Sequence, residues 1–510
     1  MTPQVLLAIG ATIFGLLAQP PDLKTSVSSW VDAHQRDVVG ELLEALAIPN
    51  VAADKPNIRR NAEHLRGVLA HHGFASEVLE TDGNPLVYGA LNVPGAARTI
   101  LVYCHYDGQP VDAKAWKQPD PFAPVLRRGR LDTEPGTIDP KSIARFDPEM
   151  RIYARSASDD KAPIVALLAA VDALKAAGLP PSSNIRVILD GEEEASSPSL
   201  VPAIGKYKDK LRADLMVILD GPTHSSGRPT VVYGARGIAT VDLTVFGPKS
   251  GVHSGNYGNW VPNPALRLAS LLASMKDEDG RVKIAGYYDA VKPLTPDERA
   301  MLDAVPEDTA RMLQTFGVAA PEKAFPKLQD ALQYPTLNIR GLASSFVGAG
   351  ARTIVPDRAT AAIDIRLVKE TAGADLVATL RAHIQKQGYH LVEATELKNG
   401  SPDDATRAKY DRLAQLTVAG PMINAFRTPT SDPQARALVA AVTRAFGQPP
   451  VQLRMLGGTV PIAPFIEGLG FPAMLVPTVN FDNNQHEENE NLRLGAFFDS
   501  VVTIAAVLRM

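Results

Sequence analysis

The 510-residue chain contains a single cysteine, Cys104, and this scarcity excludes two kinds of architecture. One cysteine forms no internal disulfide and cannot supply a cysteine-rich zinc site. The formal net charge of −4 gives no reason to expect nucleic-acid binding, which usually needs a strongly basic face. Beyond the first residues, no segment is long and apolar enough to cross a bilayer, so we expect no stable membrane span in the mature chain.

At 510 residues the chain is too long to fold around one ordinary hydrophobic core, so two domains are expected. Residues 5–18 are apolar and uncharged and precede Gln19-Pro20-Pro21, a pattern typical of a signal peptide and too short for a membrane span. We therefore interpret residues 1–18 as a signal peptide and expect a periplasmic or secreted protein. No Lys or Arg precedes the run, so the alternative of an N-terminal helix packed on the body stays open.

Short apolar runs with the composition of buried strands end in polar clusters. Residues 100–104 precede His105 and Asp107, residues 185–189 precede a run of acidic residues, residues 215–219 precede Asp220, and residues 473–476 lead towards His486. An apolar helical pattern over 164–174 lies between two of these runs. Strand, helix and strand in this order predict an α/β fold with parallel strands, in which ligands bind beyond the carboxyl ends of the strands.

The pattern changes after Gly237. Residues 238–246 and 361–368 alternate like half-exposed strands, and helical patterns lie between them. We predict an inserted domain over 238–398, a polar linker over 399–422, and a catalytic domain formed by 19–237 and 423–510.

The polar clusters have the chemistry of a metal site. His105 and Asp107 stand two apart on an extended segment and point to one side, whereas Cys104 points to the other side as a core residue. Three adjacent carboxylates, Glu192-Glu193-Glu194, repel one another unless cations relieve them. Helix capping explains one of Asp159 and Asp160, but not both. A thiol-free set of histidines and carboxylates suits zinc, manganese or cobalt in an open catalytic site. These residues alone leave open whether one metal binds or two, and which glutamate is a ligand.

The motifs resemble the carnosinase-like and aminoacylase-like co-catalytic dizinc metallopeptidases, a family that includes glutamate carboxypeptidases and desuccinylases. The resemblance runs from about Leu23 to the C-terminus. The matching elements stand in family order: His105-Tyr-Asp107-Gly-Gln-Pro110, Ser158-Asp159-Asp160-Lys161, Gly191-Glu192-Glu193-Glu194, Leu219-Asp220, Val252-His253-Ser254-Gly255, Arg366 within Asp364-Ile-Arg-Leu-Val368, Gly457-Gly458-Thr459-Val-Pro461, and His486.

The resemblance implies a phosphorylase/hydrolase-like mixed sheet sandwiched by helices, with an inserted α+β, ferredoxin-like lid and dimerisation domain. It also implies two divalent ions, with zinc expected and manganese or cobalt as alternatives. His105 and Asp220 would hold one ion, Glu194 and His486 the other, and Asp159 would bridge them. Asp107 would orient His105. Glu193 would be the general base that deprotonates the metal-bridging water and then protonates the leaving amine.

Substrate contacts follow from the same resemblance. Arg366 would bind the free carboxylate of the substrate, and Thr459 would touch the substrate or the oxyanion. His253 would stabilise the oxyanion, in many relatives from the partner subunit of a homodimer. Two alternatives stay open, a turn-bonding His253 and a surface-strand Arg366.

The chain departs from the family pattern at Ala154-Arg155-Ser156, where relatives often have Gly-Arg-Gly, and at Ala162, where they often have Gly. The glutamate run is ambiguous by one register, and alignment on Gly191 favours Glu193 as the base and Glu194 as the ligand.

We therefore expect a hydrolase that cleaves a peptide bond next to a free carboxylate, a dipeptidase or carboxypeptidase acting on small peptides. A deacylase of N-acyl amino acids is the alternative with the same site. An inactive metal-binding scaffold is more remote, because Glu193 and Asp107 are both present.

Overall fold

The computed structural model describes residues 22–510, so the predicted signal peptide lies outside the described residues. The helices are α1 Leu23–Leu46, α2 Lys55–His71, α3 Lys161–Ala176, α4 Leu200–Leu211, α5 Ser254–Tyr257, α6 Pro264–Met275, α7 Pro296–Asp303, α8 Thr309–Phe316, α9 Leu328–Ala331, α10 Gly373–Lys386, α11 Asp404–Lys409, α12 Pro433–Phe446, α13 Ala463–Leu469 and α14 Leu494–Leu508. Within residues 22–510, no helix combines the length and the apolar character needed to cross a bilayer.

The strands are β1 Ala75–Leu79, β2 Leu86–Leu91, β3 Thr99–His105, β4 Val125–Arg127, β5 Thr137–Ile138, β6 Arg151–Tyr153, β7 Asn184–Asp190, β8 Leu215–Ile218, β9 Thr230–Val232, β10 Gly234–Ala235, β11 Gly237–Phe246, β12 Val252–His253, β13 Asn338–Ala343, β14 Ile354–Val355, β15 Arg358–Leu367, β16 His390–Leu391, β17 Leu397–Lys398, β18 Ser401–Pro402, β19 Leu413–Val418, β20 Phe426–Arg427, β21 Val451–Leu453, β22 Ala473–Leu475 and β23 Asn491–Arg493.

A mixed central sheet has the strand order β1-β2-β7-β3-β8-β22-β9-β21. Strand β3 runs parallel to β7 and β8, and β22 runs parallel to β8, as predicted from the strand–helix–strand pattern. Along β3, Val102 and Cys104 face one hydrophobic core and Leu101 and Tyr103 face the other. Both faces are therefore buried, which explains why this strand is apolar throughout.

Helices cover both faces of this sheet. On one face, α3 packs between α1 and α14, and nearly all of its residues are buried. Helix α3 ends at Ala176, and Gly178 follows with a φ of 67°, the left-handed conformation that commonly terminates a helix. On the other face, α4 and α13 supply buried residues such as Leu200 and Phe465. The predicted sheet sandwiched by helices is confirmed.

The inserted domain has a second sheet with the order β13-β15-β11-β19-β16. Its elements follow one another as β11, α6, β13, β15, α10 and β19, which is the ferredoxin-like order that was expected. Every second residue of β11 and β15 is buried, and these residues pack against α6 and α10 in a separate core.

The predicted linker over 399–422 is wrong for one segment. Strand β19 pairs antiparallel with β11, from Val241 opposite Val418 to Phe246 opposite Leu413. The inserted sheet therefore extends to Val418, beyond the predicted end at residue 398. Its buried residues, Leu413, Ala414 and Leu416, lie in a short run between polar turns, and their pairing partners are distant in sequence.

Candidate metal centre

The polar clusters meet at one edge of the central sheet. His105 is the last residue of β3, the glutamate run follows β7, and Asp220 follows β8. Asp159 lies just before α3, and His486 lies in the loop that leads from β22 to β23. Parallel strands place their carboxyl ends together, so residues far apart in the chain become neighbours.

Asp159 lies at the middle of this group. Its Oδ1 is 2.9 Å from His105 Nε2, and its Oδ2 is 3.0 Å from His486 Nε2. His486 Nε2 is also 3.4 Å from Glu194 Oε2. Potential ligand atoms of His105, Asp159 and Asp220 all lie within 4.8 Å of one another, as do those of Asp159, Glu194 and His486. The five predicted ligands thus form two groups of three that share Asp159.

The electrostatics of the cluster fit divalent cations. Burial raises the pKa of Asp220 to about 6, with a further contribution from Asp159. Burial also raises the pKa of Glu194 to about 7. Oδ1 of Asp220 is buried and has no hydrogen-bond partner among residues 22–510. Several carboxylates share one buried site, and bound cations would relieve their repulsion. A nitrogen and oxygen donor set without thiols suits zinc, manganese or cobalt.

Asp107 organises the residues around it. It has no exposed surface, and its Oδ1 lies 3.3 Å from His105 Nδ1. Its two carboxylate oxygens also accept hydrogen bonds from the backbone N–H groups of Glu193 and Glu194, at 3.0 and 3.1 Å. Asp107 therefore orients one histidine and the turn that carries two glutamates, as a partner of a ligating histidine commonly does.

The three glutamates have different environments. Glu192 is buried, and its carboxylate accepts hydrogen bonds from the backbone N–H groups of Asn84 and Ser199. Glu193 and Glu194 instead line a cleft of about 470 Å³ together with Asp159, Asp220 and His486. Burial, followed by the charges of Asp220, Glu194 and Asp159, raises the pKa of Glu193 well above its ordinary value, and the His105 charge opposes the shift.

The two aspartates before α3 also differ. Asp160 occupies the N-cap position, but its side chain makes no cap hydrogen bond and instead accepts from the backbone N–H of His105, at 3.1 Å. The capping alternative is therefore wrong for Asp160. Asp159 faces the two histidines.

Arg366 and Thr459 meet at the rim of the cleft. Thr459 lines the cleft, and Arg366 Nη1 donates a hydrogen bond to Thr459 Oγ1 at 2.7 Å. Arg366 lies opposite Ile238 in the inserted sheet, and Ile238 also lines the cleft. The guanidinium is half-buried and oriented, which argues against an unconstrained surface arginine.

His253 does not reach this centre within the chain. It is exposed and does not line the cleft, and its Nδ1 accepts a hydrogen bond from the backbone N–H of Gly255 at 3.0 Å. The turn-bonding alternative thus describes its contacts in one subunit.

Three polar residues at the site were not predicted. Gln485 Nε2 donates to Asp159 Oδ2 at 2.7 Å, and Gln109 Nε2 donates to Glu194 Oε2 at 2.6 Å. Glu490 is fully buried behind the Asp159 loop. For Gln485 the available signal was its position next to His486. For Gln109 it was its position inside the motif that begins at His105. Glu490 stands in a run of acidic residues in which nothing distinguishes it by sequence.

The mixed sheet, the inserted ferredoxin-like domain and the two overlapping ligand groups define a metal-dependent hydrolase. Residues 101–510 match Peptidase family M20/M25/M40, and the chain belongs to this peptidase family. The resemblance drawn from the motifs is confirmed.

Known relatives match over almost the whole chain. A Beta-Ala-His dipeptidase from Homo sapiens is 26% identical over 526 residues, covering 98% of this chain and 95% of the relative. The Cys-Gly metallodipeptidase dug1 of Schizosaccharomyces pombe is 26% identical over 499 residues, covering 92% and 94%. The crystal structure of the M20 family metallo-carboxypeptidase Sso-CP2 from Sulfolobus solfataricus has a TM-score of 0.72 and 28% identity, covering 92% of this chain and 98% of that one.

Proposed function

We propose that this protein is a dinuclear dipeptidase that hydrolyses the peptide bond next to the free carboxylate of a small peptide. The observation that carries the proposal is the pair of ligand groups sharing Asp159, with Glu193 in the same cleft. The relatives named as dipeptidases, which match over nearly the full chain, support the choice of substrate class.

The five ligands divide between two ions. His105 and Asp220 would hold one ion and Glu194 and His486 the other, and the two oxygens of Asp159 already face the two histidines separately. When bound, divalent ions would polarise the scissile carbonyl and make a water molecule a nucleophile at neutral pH. Zinc is the proposed metal, because the donors are imidazole and carboxylate, and manganese and cobalt remain alternatives.

Glu193 would act as general base and general acid. Glu193 lines the cleft beside the proposed ligands, and its backbone N–H donates a hydrogen bond to the Asp107 carboxylate. From this position Glu193 would take a proton from the attacking water and deliver it to the leaving amine.

Arg366 and Thr459 would form the end of the substrate site. A planar guanidinium binds a carboxylate through two parallel hydrogen bonds, and the hydrogen bond to Thr459 keeps this guanidinium at the rim. A peptide with a free C-terminal carboxylate would therefore place its last peptide bond over the metal centre.

A homodimer through the inserted domain would complete the site. Strand β13 is the edge of the inserted sheet, and all six of its residues are exposed. Leu342, Phe346 and Val347 are large exposed apolar side chains on or just after this strand, at 62%, 64% and 89% exposure. An unpaired edge beside apolar side chains suits association with a second copy. In such a dimer the exposed His253 would serve the oxyanion in the cleft of its partner.

A substrate screen tests the function. Purified protein is assayed with dipeptides, longer peptides and N-acyl amino acids, each with added zinc, manganese or cobalt. The matched control is Glu193→Gln, which should bind the same two metal equivalents and lose roughly 10²–10⁴-fold in turnover. Dipeptide hydrolysis by the unaltered protein, with little or none by Glu193→Gln, supports the proposal. Hydrolysis confined to N-acyl amino acids would favour the deacylase, and no hydrolysis by metal-loaded protein would favour the scaffold.

A further inference from the structure

Glu490 accepts four hydrogen bonds from a single short loop. Its Oε1 accepts from the backbone N–H groups of Ser158 and Asp159, at 2.8 and 3.0 Å. Its Oε2 accepts from the backbone N–H of Ser156 and from Arg155 Nη1, at 3.0 and 2.8 Å. The loop ends at Asp159, the residue that belongs to both ligand groups. Glu490 itself has no exposed surface.

Glu490 also lies in the loop that carries His486 and fixes it by backbone contacts. Glu490 stands four positions after His486, and its backbone carbonyl accepts from Ala154 N–H at 3.2 Å. Its neighbour Asn491 begins β23, which pairs with β6, and the Asn491 carbonyl accepts from Ser158 Oγ at 2.7 Å. The loops of Asp159 and His486 are therefore joined through this short segment of backbone and the Glu490 carboxylate.

The Asp159 loop needs such support because its backbone is not intrinsically favoured. Ser156 has a φ of 62°, the left-handed conformation that glycine adopts without steric cost and that other residues adopt at a cost of about 1 kcal/mol. Hydrogen bonds to Glu490 and from Asn50 Nδ2, at 2.9 Å, hold Ser156 in place.

We infer that Glu490 is a positioning residue for both metal ions, acting through the backbone of Asp159 and the placement of His486. Since Asp159 belongs to both ligand groups, loss of the Glu490 acceptors should weaken both sites together. The inference rests on the proposed function only in that metals bind at these ligands. It does not depend on which amide is cleaved.

The chain offers a matched control in the same acidic run. Glu488 is exposed and lies two residues before Glu490. Glu490→Gln replaces one acceptor oxygen by a donor that faces N–H groups, whereas Glu488→Gln makes the same chemical change at the surface. Asp220→Asn is the comparator for loss of a ligand that belongs to one group only.

Zinc affinity of the metal-free proteins is the decisive measurement, by titration in competition with a chromogenic chelator. Glu490→Gln should bind both zinc ions 10–100-fold more weakly, as expected for loss of a group that orients a ligand. Glu488→Gln should match the unaltered protein, and Asp220→Asn should weaken mainly one ion. Should Glu490→Gln fail to fold, Glu490→Asp, which keeps two acceptor oxygens on a shorter side chain, is judged by the same measurement.

A purely structural role for Glu490 would lower the melting temperature and leave both zinc affinities within twofold of those of Glu488→Gln. That result would overturn the inference, as would weakening of one site only. The proposed function fails separately, if the unaltered protein binds two zinc ions and cleaves no dipeptide. Zinc affinities decide the role of Glu490 in either case.

Discussion

His72 follows α2 and lies between acidic side chains of two other helices. Its Nδ1 is 2.8 Å from Asp172 Oδ2 of α3, and its Nε2 is 3.0 Å from Glu41 Oε2 of α1. The histidine side chain is only 9% exposed. Burial lowers its pKa, but the hydrogen bonds and charges of Asp172 and Glu41 outweigh burial and raise the pKa to about 9. A protonated His72 therefore links three helices of the catalytic domain.

This pKa predicts a pH-dependent contribution to stability. A folded-state pKa of about 9, against 6.5 for an ordinary histidine, corresponds to about 3 kcal/mol at 1.36 kcal/mol per pKa unit. Because the folded-state pKa is the higher one, the stabilisation is complete below pH 6.5. It is lost as the pH rises through about 9. If the catalytic domain, roughly 300 residues, unfolds as one unit, a change of 3 kcal/mol in its free energy of unfolding shifts Tm by about 5 °C.

Calorimetric melting of metal-free protein from about pH 6 to pH 10 measures this contribution. The difference in Tm between the unaltered protein and His72→Gln should shrink by about 5 °C over that range. His71→Gln is the matched control, since His71 is the exposed neighbour of His72. Its difference from the unaltered protein should not follow this curve. If the His72→Gln difference is independent of pH, the assignment of a charged, paired His72 is refuted.

The remaining predictions concern the site. Arg366→Ala should reduce kcat/KM for dipeptides with a free carboxylate by roughly 10–100-fold, as expected for loss of a charge-assisted hydrogen bond, and spare C-terminally amidated ones. Equal loss on both would remove Arg366 from carboxylate binding. Mixed dimers of His253→Ala and Glu193→Gln subunits should regain part of the activity that each homodimer lacks, and no regain in verified mixed dimers would contradict action across subunits. Chelation should lower Tm, because an ion present at 100 times its Kd contributes about 2.7 kcal/mol; an unchanged Tm would argue against ions bound to the folded state.

His105, the glutamate run and Asp220 could be predicted as candidate ligands because they lie at the ends of strands with a clear apolar signature. Residue types and positions after β3, β7 and β8 indicated a carboxylate-rich site at one sheet edge. Contacts with Asn84 and Ser199 separate Glu192 from Glu193 and Glu194, and these contacts arise only when distant loops meet. Local sequence carries no information on those partners, so the motif resemblance was needed for the assignment.

Other features escaped prediction for a similar reason. Strand β19 is short and its partner β11 lies about 170 residues earlier, so no local periodicity distinguished it from a linker. Glu490 shares its run with the exposed Glu487 and Glu488, and only the paired strands β6 and β23 bury it behind Asp159. In both cases long-range strand pairing decides the role of a residue whose local sequence is unremarkable.

The two residues proposed to bind the substrate carboxylate end come from different domains. Arg366 belongs to the inserted sheet, and Thr459 follows β21 of the central sheet, so their hydrogen bond exists only in this relative placement of the domains. Two ion pairs cross the same junction, Arg454 with Glu298 at 2.8 Å and Arg427 with Glu370. Both pairs are largely buried, and removing one partner of a buried pair is costly because the other charge is left uncompensated. The five proposed metal ligands all come from the catalytic domain, whereas Arg366, the proposed contact for the substrate carboxylate, comes from the inserted domain. We therefore expect changes at the domain junction to alter KM for dipeptides while the proposed metal ligands keep their positions.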